Sequence, residues 1–169
     1  MIENIVTILN TYGYVTSIIV LIAVVVGIVN WFMGISPALW RLGKGLACRK
    51  IAILAKEDAY TSLRDLLLDS NLFRKSNIIK ITNSDIQKAG QYSLLLAHWG
   101  SISEHLKSIL SVKKDTTALI IYAPQAEGFI DKDAVSIINE HRNVIIVNFR
   151  GRLLNDIVTS LITTGYSRK

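Results

Sequence analysis

The sequence is nearly without cysteine and, over its first fifty residues, nearly without acid. Cys48 is the single cysteine among 169 residues, which rules out an intramolecular disulfide and leaves no CxxC or Cys/His cluster. No metal site is expected, and a reducing compartment fits. Charge is unevenly spread. Residues 1–40 carry only Glu3, and residues 41–50 carry Arg41, Lys44, Arg49 and Lys50 with no acid. The remainder holds 15 of the 19 Lys and Arg residues and 12 of the 13 acids. That balance excludes a purely electrostatic nucleic-acid binder but leaves room for a local basic patch. Three signatures are also missing. No GxGxxG follows the first apolar strand, and no GxxxxGK[ST] or GxSxG is present. Dinucleotide redox chemistry, P-loop hydrolysis and the α/β-hydrolase elbow lose their usual marks, and no cofactor is expected.

What is present begins with an apolar run. Half of the residues are hydrophobic and the mean hydropathy is +0.37, high for a soluble protein. From Tyr14 to Met33 the chain reads YVTSIIVLIAVVVGIVNWFM without a charge. At about 1.5 Å per residue this spans the ~30 Å hydrocarbon core of a bilayer. Tyr12 and Tyr14 stand at one end and Trp31, Phe32 and Trp40 at the other, as interfacial belts do. A signal peptide would need a basic start, a shorter apolar region and a small-residue cleavage site, which this stretch lacks. The positive charges follow the span, so the positive-inside rule places the N-terminus outside and the larger domain in the cytoplasm. Within the helix, Thr16, Val20, Ala23, Gly27 and Asn30 form one face that is smaller and more polar than the rest. Such a face suits helix–helix contact, and Asn30 needs a partner inside lipid. Either this is an anchor with one polar residue near the interface, or it lines a narrow pore in an oligomer. Ser36 and Pro37 then restart structure as N-cap and first helical residue, opening a basic amphipathic connector at the headgroup surface.

Three segments follow: residues 1–34 with the membrane helix, the connector 35–50, and a cytoplasmic domain 51–169. In the last, the apolar runs 51–55, 77–82, 92–98, 117–123 and 143–149 alternate with helical patterns. Five strands separated by helices predict an α/β domain of flavodoxin/Rossmann type. Its parallel sheet is expected in the order 2-1-3-4-5, with right-handed crossovers.

Ligands of such sheets bind beyond the carboxyl ends of the strands, near the switch in strand order. That edge collects the loops at 56–58, 82–84, 98–101, 123–128 and 148–152. Arg150 and Arg152 precede a predicted helix whose free N–H groups favour an anion. Trp99 can stack on a base, and Lys56, His98, Gln125 and Asn148 can hydrogen-bond phosphate, sugar or base edges. Each has an ordinary structural alternative. Arg152 can pair with Asp156 one turn on, and Trp99 can be a packing residue. Lys56 stands beside Glu57 and Asp58 as a solvated loop would, and His98 has no second ligand near it in sequence.

The layout of TYGYVTSIIVLIAVVVGIVNWFM, a basic connector and a domain ending in NFRGRLLND resembles membrane-tethered effectors of bacterial anti-phage defence. These are CRISPR-associated membrane effectors with a CARF domain and the transmembrane effector of the Hailong system, whose channel answers to single-stranded DNA oligomers. The resemblance implies a homo-oligomer in the bacterial inner membrane, a tetramer, whose helices form an ion-conducting pore. Its sensor domains would bind a nucleotide second messenger or a short single-stranded nucleic acid. A second stretch, SLLLAHWGSISEHL, is similar to the third-strand region of TIR domains. That likeness implies an NAD-cleaving enzyme with Glu104 as its carboxylate, although IAILAKED stands where those domains carry an aromatic–Ser pair. The bland alternative for Glu104 is an exposed helix residue facing Lys107. A third reading is an anchored protein-interaction scaffold.

Overall fold

In a computed structural model that describes residues 2–164, the chain divides into two compact units, 1–40 and 41–169. The first is built on helix α1 (Ile2–Gly34). Over its 33 residues this helix extends roughly 50 Å, and it is long and apolar enough to cross a membrane. Ile18, Leu21, Val25 and Ile28 are each more than half exposed, so the chain itself offers them no core. Helix α2 (Ser36–Cys48) follows after one residue. The hydrogen bonds from Ile35 N to Trp31 O and from Leu39 N to Ile35 O, both 3.0 Å, carry the helical ladder across the junction. The expected restart at Ser36–Pro37 is therefore a one-residue interruption, placed where Pro37 has no N–H to offer the Met33 carbonyl.

The second unit holds the sheet. Its strands are β1 (Ile51–Leu54), β2 (Ile78–Ile81), β3 (Leu94–His98), β4 (Ala118–Tyr122) and β5 (Val144–Val147). All pairings are parallel and the order is β2-β1-β3-β4-β5, as the sequence predicts. The apolar runs are continuous because each strand is covered on both faces, with successive side chains going to opposite sides. Ile51, Ile53, Leu94, Leu96, Ala118 and Ile120 pack beneath α3 (Glu57–Asp69) and α7 (Arg150–Thr163). Ala52, Leu54, Leu95, Ala97, Leu119 and Ile121 face α5 (Leu106–Val112), α6 (Lys132–Asn139) and the 3₁₀ stretch Asn83–Gln91. Fully burying a side chain of this size contributes about 1.5–3 kcal/mol, so the two layers supply most of the domain's cohesion.

Two predicted helices differ in form. Residues 83–91 are 3₁₀ with a kink at Asp85. Thr82 Oγ1 there bonds Ser84 Oγ (2.8 Å) and Asp85 Oδ2 (3.3 Å), the kind of local side-chain bonding that competes with an α-helix. The segment after β3 is split into α4 (Trp99–Ile102), a 3₁₀ turn at Ser103–His105, and α5. Residues 41–50 of the expected connector belong to the second unit. Asn77 Nδ2 donates to the carbonyls of Leu46 (3.3 Å) and Ala47 (3.1 Å), and an Arg49 guanidinium nitrogen donates to Leu161 O (2.8 Å). Gly45 lies against Leu161, where an added Cβ would meet the leucine Cβ at 3.3 Å. The end of α2 is thus clipped onto the sheet domain.

Candidate functional site

In the order 2-1-3-4-5, the direction in which the chain winds across the sheet reverses between β1 and β3, and the loops leaving those strands part to leave a crevice. The structure has a cavity of about 380 Å³ there. Lys56, Asp58, Ala59, Ser62 and Leu63 line it from the end of β1 and α3. His98, Gly100 and Ser101 come from the end of β3 and α4, Tyr122 from β4, Glu127 from the following loop, and Arg150 from α7. Two cations thus share the cavity with two carboxylates.

His98 is the centre of its polar wall. It is 7 % exposed, and both ring nitrogens are engaged. Nδ1 lies 3.2 Å from Ser101 Oγ, and Nε2 lies 3.2 and 3.1 Å from the two carboxylate oxygens of Glu127. A carboxylate can only accept, so in the neutral ring Nε2 holds the proton and Nδ1 accepts from the Ser101 hydroxyl. Ser101 Oγ in turn accepts from the Lys56 backbone N–H at 2.9 Å. The Tyr122 ring, paired in register with His98, lies 6.1 Å from the imidazole. Gly100 makes room for this arrangement. A Cβ there would stand 2.9 Å from Glu127 Oε2 and 3.4 Å from His98 Cε1.

Arg150 crosses the cavity mouth to α3. One terminal nitrogen donates to Ser62 Oγ at 2.7 Å and the other to Ser62 O at 2.9 Å. Two of its five N–H donors are then occupied, and the rest remain for a ligand. Neither Lys56, which precedes α3, nor Phe149, which precedes α7, caps its helix with a side chain. The first turn of α3 already carries Glu57 and Asp58, so an anion is better accepted at the α7 end.

Of the residues expected to bind a ligand, Lys56, His98 and Arg150 meet in this cavity. Gln125 and Asn148 line a separate cavity of about 250 Å³ with Phe129. Arg152 lies with Asn148, Phe149 and Asp156 around a third of about 110 Å³. The two arginines diverge because both are inside α7, where two positions correspond to about 200° of rotation. Trp99 is half-buried and packs against the α5/α6 side of the sheet. His98 ends β3 on the α3/α7 side, and strand alternation sends its neighbour the other way. Glu104 is exposed in the 3₁₀ turn and is not in the cavity wall. Comparison with family models, with curated proteins and with solved structures returned no match.

Ser62, Ser101, Tyr122 and Glu127 complete the site without having been singled out from the sequence. The His98–Ser101 spacing at a strand-to-helix turn with an intervening glycine was a readable signal. Glu127, 29 positions from His98, had none.

Proposed function

We propose that the protein is a membrane-tethered receptor for an anionic, nucleotide-type signal bound by the cavity at the β1/β3 switch. The observation that carries this reading is the placement of Lys56 and Arg150 about one cavity with the polar wall of His98 and Ser101. Its volume of about 380 Å³ falls in the range of small-molecule sites. The α7 N-terminus and the spare Arg150 donors suit a phosphate, and Tyr122 supplies an aromatic surface for the remainder. The four cations after the apolar helix, Arg41, Lys44, Arg49 and Lys50, favour an orientation with the sheet domain in the cytoplasm, and the resemblance to membrane-tethered defence effectors implies a bacterial inner membrane.

Signal output then passes through α1. Thr16 Oγ1 is already bonded to Tyr12 O (2.8 Å) and Gly13 O (3.0 Å), so its polarity is satisfied inside the helix. The Asn30 side-chain amide makes no hydrogen bond among the described residues, and an added Cβ at Gly27 would meet nothing within 4 Å. A helix partner on the Thr16, Val20, Ala23, Gly27 and Asn30 face would satisfy the amide and use the small residues. This supports self-association, with a homotetrameric pore opened or closed by ligand as its functional form. Ligand can shift that equilibrium only by binding one arrangement of the sensor domains better than another.

Two measurements test the proposal. Calorimetric titration of the detergent-solubilised chain with mono-, di- and cyclic nucleotides is expected to find a binder that Arg150→Ala weakens at least tenfold. Ion flux from liposomes should respond to that binder and be altered in Asn30→Leu. A chain that binds no nucleotide, or flux indifferent to both ligand and substitution, would reject it.

A further inference from the structure

The polar wall of the cavity has the parts of a nucleophile with its base. We propose that Ser101 is a catalytic nucleophile, with His98 as its general base and Glu127 as the positioning residue of an acyl-transfer site. The site resides in the cavity assigned above to the signal. Three relations carry it. The hydroxyl is within hydrogen-bond reach of the ring nitrogen left to accept, at 3.2 Å. The opposite nitrogen is held by the Glu127 carboxylate at 3.1 Å, which fixes the tautomer and balances the imidazolium that forms. The Lys56 N–H, 2.9 Å from Ser101 Oγ, donates to the oxygen that gains negative charge as its proton leaves. Gly100 leaves room for the second relation, since a Cβ there would stand 2.9 Å from Glu127 Oε2.

In the step itself, Ser101 Oγ attacks an ester or thioester carbonyl while its proton passes to His98 Nδ1. The carbon–oxygen or carbon–sulfur bond breaks, and the leaving alcohol or thiol takes the proton from Nδ1. Water then attacks the acyl carbon as Nδ1 takes its proton; the carbon–Oγ bond breaks, Oγ recovers the proton from Nδ1, and the acid leaves. Lys56 and Arg150 on the same cavity select substrates that carry a phosphate or carboxylate.

The test uses a fluorophosphonate probe on the full-length chain in detergent. Attack by Ser101 Oγ forms the oxygen–phosphorus bond, fluoride leaves, and His98 takes the proton, so the adduct is permanent and can be mapped by peptide mass. Labelling at Ser101 that Ser101→Ala abolishes and His98→Ala reduces at least a hundredfold is expected. Glu127 is exposed on its loop, so Glu127→Gln tests the relay without a packing change. It should lower the maximal labelling rate at least tenfold while leaving the half-saturating probe concentration within about twofold. Absence of labelling at Ser101, or a rate unchanged in Glu127→Gln, would overturn the proposal. The probe carries no nucleotide, so its result reports on the relay alone, and titration with nucleotide reports on the receptor reading.

Discussion

Replacing Arg150 separates two roles that the structure superimposes. Its guanidinium staples α7 to α3 through Ser62 Oγ and Ser62 O, and the residue also lines the cavity. Both bonds are at an exposed position, so together they contribute about 1–2 kcal/mol rather than the larger value of a buried charged pair. Arg150→Ala should lower the unfolding free energy of the sheet domain by that amount and weaken an anionic ligand by at least tenfold, about 1.4 kcal/mol. Arg150→Lys keeps the charge and loses the two-pronged geometry. It is expected to resemble the alanine variant in stability and to recover part of the affinity. Ser62→Ala removes the staple's side-chain acceptor alone, costing about 0.5–1.5 kcal/mol, and leaves affinity unchanged or improved because an Arg150 donor is released. Urea unfolding followed by tryptophan fluorescence and calorimetric titration of each variant give the two quantities. Equal affinity in wild type and Arg150→Ala, alongside the stability loss, would show that the arginine only closes the loop and would refute its assignment as a ligand contact.

Three further outcomes follow from the packing and charge. Leu95→Ala, in the fully buried central strand, should cost about 2–5 kcal/mol in urea unfolding, and a loss below that range would contradict the two-sided burial of β3. Gly90→Ala places a Cβ 2.9 Å from the Val112 backbone carbonyl, and the forced shift of α5 should cost about 1–3 kcal/mol; an unchanged midpoint would refute the contact. Burial holds the Lys113 ammonium below its ordinary value of 10.5, opposed by the nearby Asp115 carboxylate. The unfolded chain then binds this proton up to a higher pH than the folded one, so the contribution is a stability that rises as pH approaches 10.5. Lys113→Met should flatten that rise in urea midpoints measured across the alkaline range, and identical slopes would refute it.

Much of the architecture is legible in local pattern, because burial on both faces forces strands to be apolar throughout and helices to repeat every three to four residues. That is why the five strands, their order and the long apolar helix could be read from runs such as IAIL and LLLAH. Helix type was less legible. At 83–91, hydroxyl and carboxylate side chains bond locally and divert the backbone, an effect invisible to apolar periodicity.

The candidate site divides in the same way. That Lys56, His98 and Arg150 lie at one sheet edge follows from the sequence, since each ends or follows a strand of a parallel sheet. The alternation in LLLAHW also sends His98 and Trp99 to opposite sides of the sheet, and the structure then shows Trp99 packed against the α5/α6 side. The partners of His98 required the tertiary structure. Strand register sets Tyr122 beside it, and the loop after β4 brings the Glu127 carboxylate back over Gly100. The fate of NFRGR was decided there too. Arg150 and Arg152 are near neighbours in an extended chain, but α7 begins at Arg150 and turns them to different cavities. Local sequence reports which faces are buried, whereas the meeting of distant polar groups depends on register and loop path, which no local pattern encodes.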